Sequence, residues 1–355
     1  MTVLSSLLRA AKVFTIAGSL IYVGFMLSYY YRQEHLFDPF VGVPPPLITT
    51  LEADASLRVL ALGGSTTECG DLPLADRYPT VLQARLRESA ADAVVFNAGR
   101  DWYTTRHSLI NFVAQYQDWH PHVVVVLDAI NDVYRSFSPA LYAASPYRAD
   151  YSHFFGAASN GAFPPTFEQH LYSKRYGPIV THYWYEAPFV RERAVDYPVD
   201  RYWSLRAFRA NLARLVRTVR AAGSHVVLVT QPSLYRRQMT AAELEALWFG
   251  RVFCATRIGY ARYEYASPQS LEGAMEAFNG AIREIAASES VGLADADARV
   301  PKTLDNFVDD VHYTPAGAAL VAQTVAQTIQ EQVGAIRPPA MSPVIGRTAA
   351  AHSRR

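Results

Sequence analysis

The sequence predicts a doubly wound α/β domain, with a parallel sheet between two layers of helices, preceded by one N-terminal transmembrane helix. Short apolar runs recur along the middle of the chain, amphipathic helical patterns separate them, and one long uncharged run lies near the N-terminus. Apolar runs without alternation are typical of strands buried on both faces of a parallel sheet. Strands that alternate with helices favour the doubly wound arrangement.

The composition is that of a folded protein with one large or two ordinary domains. Of the 355 residues, 50% are hydrophobic and 18% are charged, which excludes global disorder. The 33 Lys and Arg residues nearly balance the 32 Asp and Glu residues, so no nucleic-acid partner is expected. Because the 10 histidines are scattered and the 2 cysteines are far apart, neither a metal nor another cofactor is expected.

The first element is the uncharged run over residues 13–31, which Lys12 and Arg32 flank. As a helix, this run would span about 28 Å, close to the thickness of the hydrocarbon core of a bilayer. Three consecutive tyrosines at its end are typical of a membrane–water interface. These features favour a transmembrane anchor over a buried N-terminal helix. The basic residues of segment 1–12 predict a cytoplasmic N-terminus and a domain on the far side of the cytoplasmic membrane, periplasmic or extracellular.

The rest of the chain divides into a linker, a domain and a tail. Residues 32–56 contain three consecutive prolines, which indicate a stiff, extended linker. Residues 57–333 are expected to form the α/β domain, and residues 334–355, which lack a hydrophobic period, a disordered tail. Within the domain, residues 139–203 are rich in aromatic side chains and longer than a crossover requires. They are interpreted as an insertion or cap, and whether some rings face a sugar stays open.

Five apolar runs are the predicted strands of the sheet: residues 58–62, 93–96, 123–127, 226–229 and 291–293. Residues 204–222 place apolar side chains on one stripe, which predicts an amphipathic helix. The final helix is predicted to begin at Pro315, because Thr314 can cap it and proline suits a first turn. In such a domain ligands bind beyond the carboxyl ends of the strands, so the chemistry is expected at that edge.

Four polar segments follow the predicted strands. The first, Gly63-Gly64-Ser65-Thr66-Thr67-Glu68, places a serine at the start of a helix, where it meets the positive end of the dipole. The second strand ends at Asn97-Ala98-Gly99 and the third at Asp128-Ala129-Ile130-Asn131-Asp132. Asp309-Asp310-Val311-His312 precedes the last helix. Taken singly, each segment can be a turn, a helix cap or a surface charge pair.

Together and in this order, the four segments resemble the four blocks of the SGNH, or GDSL-like, hydrolase superfamily. The Gly-Gly-Ser-Thr-Thr form resembles a bacterial branch of it. The resemblance covers about residues 57–330 and implies a flavodoxin-like, three-layer fold. It also implies a serine esterase in which Ser65 is the nucleophile, His312 the base and Asp309 the partner of the histidine.

The resemblance further implies an oxyanion hole formed by the N–H groups of Ser65 and Gly99 and by the side-chain amide of Asn131. The residue types suit this chemistry, because a serine hydroxyl needs a base and a histidine needs a group that holds its tautomer. The chain departs from the family pattern at Ala129, where glycine is usual, and this change bears on how closely the loop approaches the substrate.

Two further pairs of residues are singled out. Arg100 and Asp101 come directly after Gly99, so they are candidates for contacts with the substrate. Cys69 and Cys254 allow two interpretations. They could form a disulfide if the domain lies outside the cytoplasm, or they could be two buried thiols.

The sequence therefore predicts a membrane-anchored serine esterase that hydrolyses O-acyl esters, O-acetyl esters among them, of a cell-envelope glycan or a similar substrate. The expected partners are this acylated small-molecule or glycan substrate and the membrane. Two alternatives stay open. One is an O-acyltransferase acting on a surface polysaccharide, in which a sugar hydroxyl replaces water, and the other is a non-catalytic glycan-binding envelope protein.

Overall fold

The computed structural model describes a set of segments of the chain: residues 15–16, 18–24, 55–90, 92–101, 103–137, 194–196, 202, 204–247, 253–257, 260–263 and 265–334. The predicted tail lies outside the described residues apart from residue 334, as do most of the predicted anchor, linker and insertion. The described residues of the predicted anchor, 15–16 and 18–24, are helical. No helix in the described segments combines the length and the apolar character that a membrane span needs.

The strands of the described segments are β1 (Arg58–Gly63), β2 (Val94–Asn97), β3 (Val123–Leu127), β4 (Ala194–Val195), β5 (His225–Val229), β6 (Phe253–Arg257), β7 (Tyr260–Tyr263), β8 (Tyr265–Ala266) and β9 (Gly292–Ala294). Five of them form one parallel sheet in the order β2-β1-β3-β5-β9. This is the strand order of flavodoxin-like domains. Each of these five strands lies within one residue of a predicted apolar run, so the predicted parallel sheet is confirmed.

From residue 55 onward, the α-helices of the described segments are α1 (Ser65–Glu68), α2 (Tyr78–Arg87), α3 (Thr105–Asn111), α4 (Ile130–Phe137), α5 (Ser204–Ala221), α6 (Ala241–Glu245), α7 (Pro268–Glu289), α8 (Ala296–Arg299) and α9 (Pro315–Gly334). Helices α2 and α9 pack against each other on one face of the sheet. Helices α3, α4, α5 and α7 cover the other face. The two helix layers are those that the alternation of strands and helices predicts.

The position of β3 in the middle of the sheet explains why its sequence is apolar throughout. Val124 and Val126 belong to the hydrophobic cluster under α5 and α7. Val123, Val125 and Leu127 belong to the cluster under α2 and α9. Since successive side chains of a strand point to opposite faces, a sheet covered on both faces requires apolar residues at every position.

The last helix begins where its sequence predicts. Pro315 is the first residue of α9, and the N–H of Gly317 donates to the hydroxyl oxygen of Thr314 at 3.3 Å. This N-cap satisfies one of the N–H groups that the first turn leaves without a partner in the helix. The cap also fixes where the preceding segment, which carries His312, enters the domain.

Candidate active site

The site forms at the edge of the sheet where the central strands end. Strand β1 lies between β2 and β3, with Ala61 opposite Asn97 and Gly63 opposite Leu127. The segments that follow these three strands therefore emerge side by side. The chain turns at Gly63 directly into α1, whose first residue is Ser65.

Ser65, His312 and Asp309 are brought together at this edge. Nε2 of His312 lies 2.9 Å from Oγ of Ser65, and Nδ1 of His312 lies 2.6 Å from Oδ2 of Asp309. The second carboxylate oxygen, Oδ1, accepts the N–H groups of Val311 at 2.8 Å and of His312 at 2.7 Å. One carboxylate thus shapes the loop and orients the imidazole. With the Nδ1 proton directed to Asp309, Nε2 faces the serine as an acceptor.

The pKa of His312 reflects two opposing effects. Burial alone would lower it, but the hydrogen bond to Asp309 and the negative charges of Asp309 and Asp310 outweigh burial, and the pKa is raised above its ordinary value. The carboxylates therefore stabilise the imidazolium that forms when the ring accepts a proton. A base of this kind can take the proton of a hydroxyl in contact with it.

Asn131 lies in the first turn of α4, directly beside Gly64 in the segment of Ser65. Its Nδ2 donates to the carbonyl of Tyr103 at 2.7 Å, and an amide nitrogen carries two protons, so a second one can serve a ligand. A Cβ placed on Gly64 would lie 2.7 Å from this nitrogen. A side chain at residue 64 would therefore displace the Asn131 amide from its position beside Ser65.

Gly99 differs from its predicted role. Its N–H donates to Oδ1 of Asn97 at 2.9 Å, a turn in which an Asn side chain accepts a backbone N–H two residues on. The donor that was expected to point into the oxyanion hole is thus engaged within its own loop. The glycine itself is needed for packing, since a Cβ there would lie 2.4 Å from the backbone nitrogen of Glu68.

Ala129, at the position where the family usually has glycine, is part of the core. It is buried in the same hydrophobic cluster as Ile130 and Val133, and its carbonyl accepts the N–H of Val133 at 2.8 Å. This bond begins the first turn of α4, which carries Asn131. The methyl group at residue 129 therefore adds to the packing that supports that turn.

The predicted substrate residues Arg100 and Asp101 are both held by Glu68, which the sequence analysis did not single out. Nη1 of Arg100 lies 3.4 Å from Oε1 of Glu68, and the N–H of Asp101 donates to Oε2 at 2.7 Å. Although Asp101 is exposed, the pKa of its carboxyl is raised, because neighbouring groups displace part of its water and because Glu68 is also negative. The position of Glu68, three residues after Ser65 on α1, is the signal that could have identified it.

For Cys69 the structure agrees with the second interpretation, because this residue is a free, buried thiol. Its Sγ donates to the carbonyl of Thr66 at 3.3 Å, and burial raises its pKa to about 11. A thiol with so high a pKa is a poor nucleophile at neutral pH. The side chain of Cys254, on β6, lies outside the described residues. Among the side chains that the structure describes, no group of His, Cys, Asp and Glu is arranged to hold a metal ion.

Asp128 is a second acidic residue that the sequence analysis left unassigned. It follows β3 directly and is 4% exposed. Burial, and then the nearby charge of Asp132, raise the pKa of Asp128 to about 7. Asp132 itself is engaged by Thr105, whose N–H donates to it at 3.0 Å and whose hydroxyl donates at 2.9 Å.

We expect Asp128→Asn to make the protein more stable than the wild type above neutral pH. A carboxyl group whose pKa is higher in the folded than in the unfolded protein stabilises the fold when protonated. That stability is lost as the pH rises from about 4 to about 7. The free energy of unfolding of the wild type should therefore fall over this window relative to the variant, by on the order of 4 kcal/mol at most. Urea unfolding of both proteins at pH 5 and pH 8 measures this change. If the difference in free energy of unfolding between variant and wild type is the same at both pH values, the raised pKa of Asp128 is contradicted.

We expect Asn131→Ala to lower turnover of a short-chain ester by roughly a hundredfold, because one donor to the developing oxyanion is lost, with little change in KM. Asn131→Asp should be at least as damaging, since a carboxylate would repel the oxyanion. A turn-forming role for Asn131 gives the opposite order, because Asp adopts the same turns. Steady-state kinetics of both variants separates the two roles, and full activity of Asn131→Asp would exclude the donor role.

The family model of the GDSL-like lipase/acylhydrolase family matches residues 61–320 of the chain, which include all four motif segments. The chain belongs to this family. It is an enzyme that hydrolyses ester bonds, a serine esterase.

Similar solved structures include the acetyl xylan esterase AlAXEase, with a TM-score of 0.45 and 14% identity over 77% of this chain and 100% of that chain. TesA has a TM-score of 0.44 and 16% identity over 77% of this chain and 98% of that chain. The acetylxylan esterase Axe2 from Geobacillus stearothermophilus has a TM-score of 0.43 and 15% identity over 79% and 95%. No curated protein matches the chain.

Proposed function

We propose that this esterase removes O-acyl groups, acetyl among them, from a glycan of the cell envelope, with residues 13–31 as its anchor in the cytoplasmic membrane and the domain on the extracytoplasmic side. The observation that carries the catalytic part is the hydrogen-bonded chain from Ser65 through His312 to Asp309, with distances of 2.9 Å and 2.6 Å. It supports Ser65 as nucleophile, His312 as base and Asp309 as the group that orients the base.

In the first half of the proposed reaction, Oγ of Ser65 attacks the ester carbonyl while Nε2 of His312 takes its proton. The charge that develops on the carbonyl oxygen is stabilised by the N–H group of Ser65 at the start of α1 and by the Asn131 amide. The carbonyl of Tyr103 orients this amide. The C–O bond to the alcohol then breaks, and His312 returns the proton to the departing oxygen. The acyl group stays on Ser65 as an ester.

In the second half, a water molecule attacks the acyl-serine and His312 takes a proton from it. The bond between the acyl carbon and Ser65 breaks, the proton returns to Oγ, and a carboxylic acid is released. If a sugar hydroxyl attacks in place of water, the same steps produce a new ester, which is the transferase alternative. Hydrolysis and transfer therefore differ only in the acceptor.

Two features support this choice of substrate. Charged groups lie next to the segment of Ser65, because Glu68 on the same helix pairs with Arg100, which is 39% exposed, and accepts the N–H of Asp101. Charged side chains beside the site favour an alcohol part that is rich in hydroxyls over a long aliphatic chain. The anchor predicted from residues 13–31 and the basic residues before it support a substrate outside the cytoplasm.

The test compares three substrates with the full-length protein and Ser65→Ala as the matched control. We expect acetate release from an O-acetylated oligosaccharide and from p-nitrophenyl acetate, and much slower hydrolysis of p-nitrophenyl palmitate. Mass spectrometry of the same reactions with an excess of unacetylated oligosaccharide detects transfer. Faster cleavage of palmitate than of acetate would overturn the substrate class, and acetyl transfer in place of acetate release would favour the alternative.

The proposed orientation is tested separately. Protease added to spheroplasts of a bacterium that expresses the full chain should digest the domain and leave a small protected N-terminal fragment. A domain that stays intact until the cells are lysed would show that the orientation is wrong. Release of the intact protein by osmotic shock alone would exclude the anchor.

A further inference from the structure

Gln231 lies two residues after the end of β5 and is fully buried, between the segment of the nucleophile and the segment of the base. The hydroxyl of Thr66 donates to Oε1 of Gln231 at 3.1 Å. Nε2 of Gln231 donates to the hydroxyl of Tyr313 at 3.2 Å and to the carbonyl of Pro232 at 3.0 Å. One carboxamide thus links two parts of the chain that are far apart in sequence.

The two residues at the ends of this link are neighbours of the catalytic pair. Thr66 directly follows Ser65, and Tyr313 directly follows His312. Both are buried, with 1% and 3% of their surface exposed. A carboxamide carries an acceptor and a donor on one rigid plane, so it can satisfy a hydroxyl donor on one side and a hydroxyl acceptor on the other. A carboxylate or an aliphatic side chain of the same length cannot do both.

Gln231 is itself held in place by the core helix α7. The N–H of Gln231 donates to Oδ1 of Asn279 at 2.8 Å, and Nδ2 of Asn279 donates to the carbonyl of Gln231 at 3.0 Å. Asn279 is fully buried within α7. The backbone of Gln231 is therefore fixed by two hydrogen bonds to a long helix, and its side chain starts from a rigid base.

We propose that Gln231 is a positioning residue that sets the distance between Oγ of Ser65 and Nε2 of His312, acting through Thr66 and Tyr313. This inference rests on the proposed roles of Ser65 and His312. Helix α1 is only 4 residues long, so its own hydrogen bonds do little to fix the serine. Proton transfer from serine to histidine needs a short, aligned contact, and a misplacement of about 1 Å can cost on the order of 100-fold in rate.

The test removes the link one hydrogen bond at a time. Thr66→Val and Tyr313→Phe each delete one hydroxyl with little change of shape, and Gln231→Met deletes both ends at similar length. We expect kcat for p-nitrophenyl acetate to fall about tenfold in each single-hydroxyl variant and about a hundredfold in Gln231→Met. KM should change less than threefold, because none of these side chains is placed against the substrate. The rate of inactivation by a serine-directed phosphonate should fall in parallel.

Ser224→Ala is the matched control. Ser224 is buried at the opposite end of β5, and its hydroxyl donates to the carbonyl of Pro121 at 2.7 Å. This variant should lose stability as the others do and keep the wild-type kcat. All assays are run well below the melting temperature of each variant, with the folded fraction checked by circular dichroism. If Gln231→Met does not fold, the two single-hydroxyl variants decide.

Three outcomes would overturn the positioning role. The first is a loss of stability like that of Ser224→Ala with kcat unchanged, and the second is a rise in KM at constant kcat. The third is a shift of the acid limb of the pH profile, because the pair of His312 and Asp309 is untouched in these variants. If the activity of the wild type survives in Ser65→Ala, the proposed catalytic roles fail instead, so the two failures are distinguishable.

Discussion

Ser65→Ala is expected to lower kcat for a short-chain ester by about a millionfold, with the fold intact, because the bond to the acyl group can no longer form. The Ser65 hydroxyl contacts Nε2 of His312 at 2.9 Å. Removing this hydroxyl therefore leaves the hydrophobic clusters unchanged. Residual activity above the uncatalysed rate would come from the remaining donors around the carbonyl oxygen.

Kinetics with p-nitrophenyl acetate, together with melting temperatures, measures this effect. Ser89→Ala, at the end of α2 and far from the site, is a suitable control and should behave as the wild type. Mass spectrometry after treatment with a serine-directed phosphonate should find the adduct on the peptide of Ser65 in the wild type and none in Ser65→Ala. Turnover of Ser65→Ala within tenfold of the wild type would refute the assigned nucleophile.

Asp309→Asn is expected to lower kcat by about 10⁴-fold and to move the acid limb of the pH profile to lower pH. The amide oxygen of the new side chain can still accept the N–H groups of Val311 and His312. Its NH₂ group would then face Nδ1 of His312 and place the ring proton on Nε2. In that tautomer the ring cannot take the proton of Ser65.

The direction of the pH shift follows from the charges. In the wild type the hydrogen bond and charge of Asp309 help raise the pKa of His312, and the base works only when neutral, so activity is lost as the pH falls through that pKa. Without the carboxylate the pKa is lower, and the remaining activity should persist to lower pH. A profile of kcat/KM from pH 4.5 to 9 measures this, with the exposed Asp305→Asn as the control. An acid limb that does not move would contradict the assigned pair.

The sequence was sufficient for the sheet because each of its five strands contains a continuous apolar run, and the cap at Thr314 and Pro315 marked the start of α9. It was also sufficient to bring the four motif segments to one edge, since parallel strands end together. It could not reveal the direction of the Gly99 N–H, which depends on the local turn at Asn97. The anchor over residues 13–31 stays a prediction.

The hydrogen bonds that support the site could not be predicted from the sequence, for a different reason. Thr66 and Gln231 are 165 positions apart, and Gln231 and Asn279 are 48 apart. Such bonds join single side chains across the core, so they leave no periodicity and no fixed spacing to recognise. Glu68 is intermediate, because its place on α1 beside Ser65 is visible in the sequence while its bond to the N–H of Asp101 is not.

The order of the catalytic groups along the chain has a consequence for synthesis in the cell. Ser65 and His312 are separated by 247 positions. At ribosomal rates of roughly 5–20 residues per second, the proposed nucleophile therefore exists for about 12 to 50 seconds before the proposed base is made. Helix α9, which follows His312, must also emerge and pack on α2. A growing chain, or one truncated before His312, therefore lacks the base that the proposed mechanism requires, and cleavage of esters by that mechanism begins only after His312 and α9 have been made.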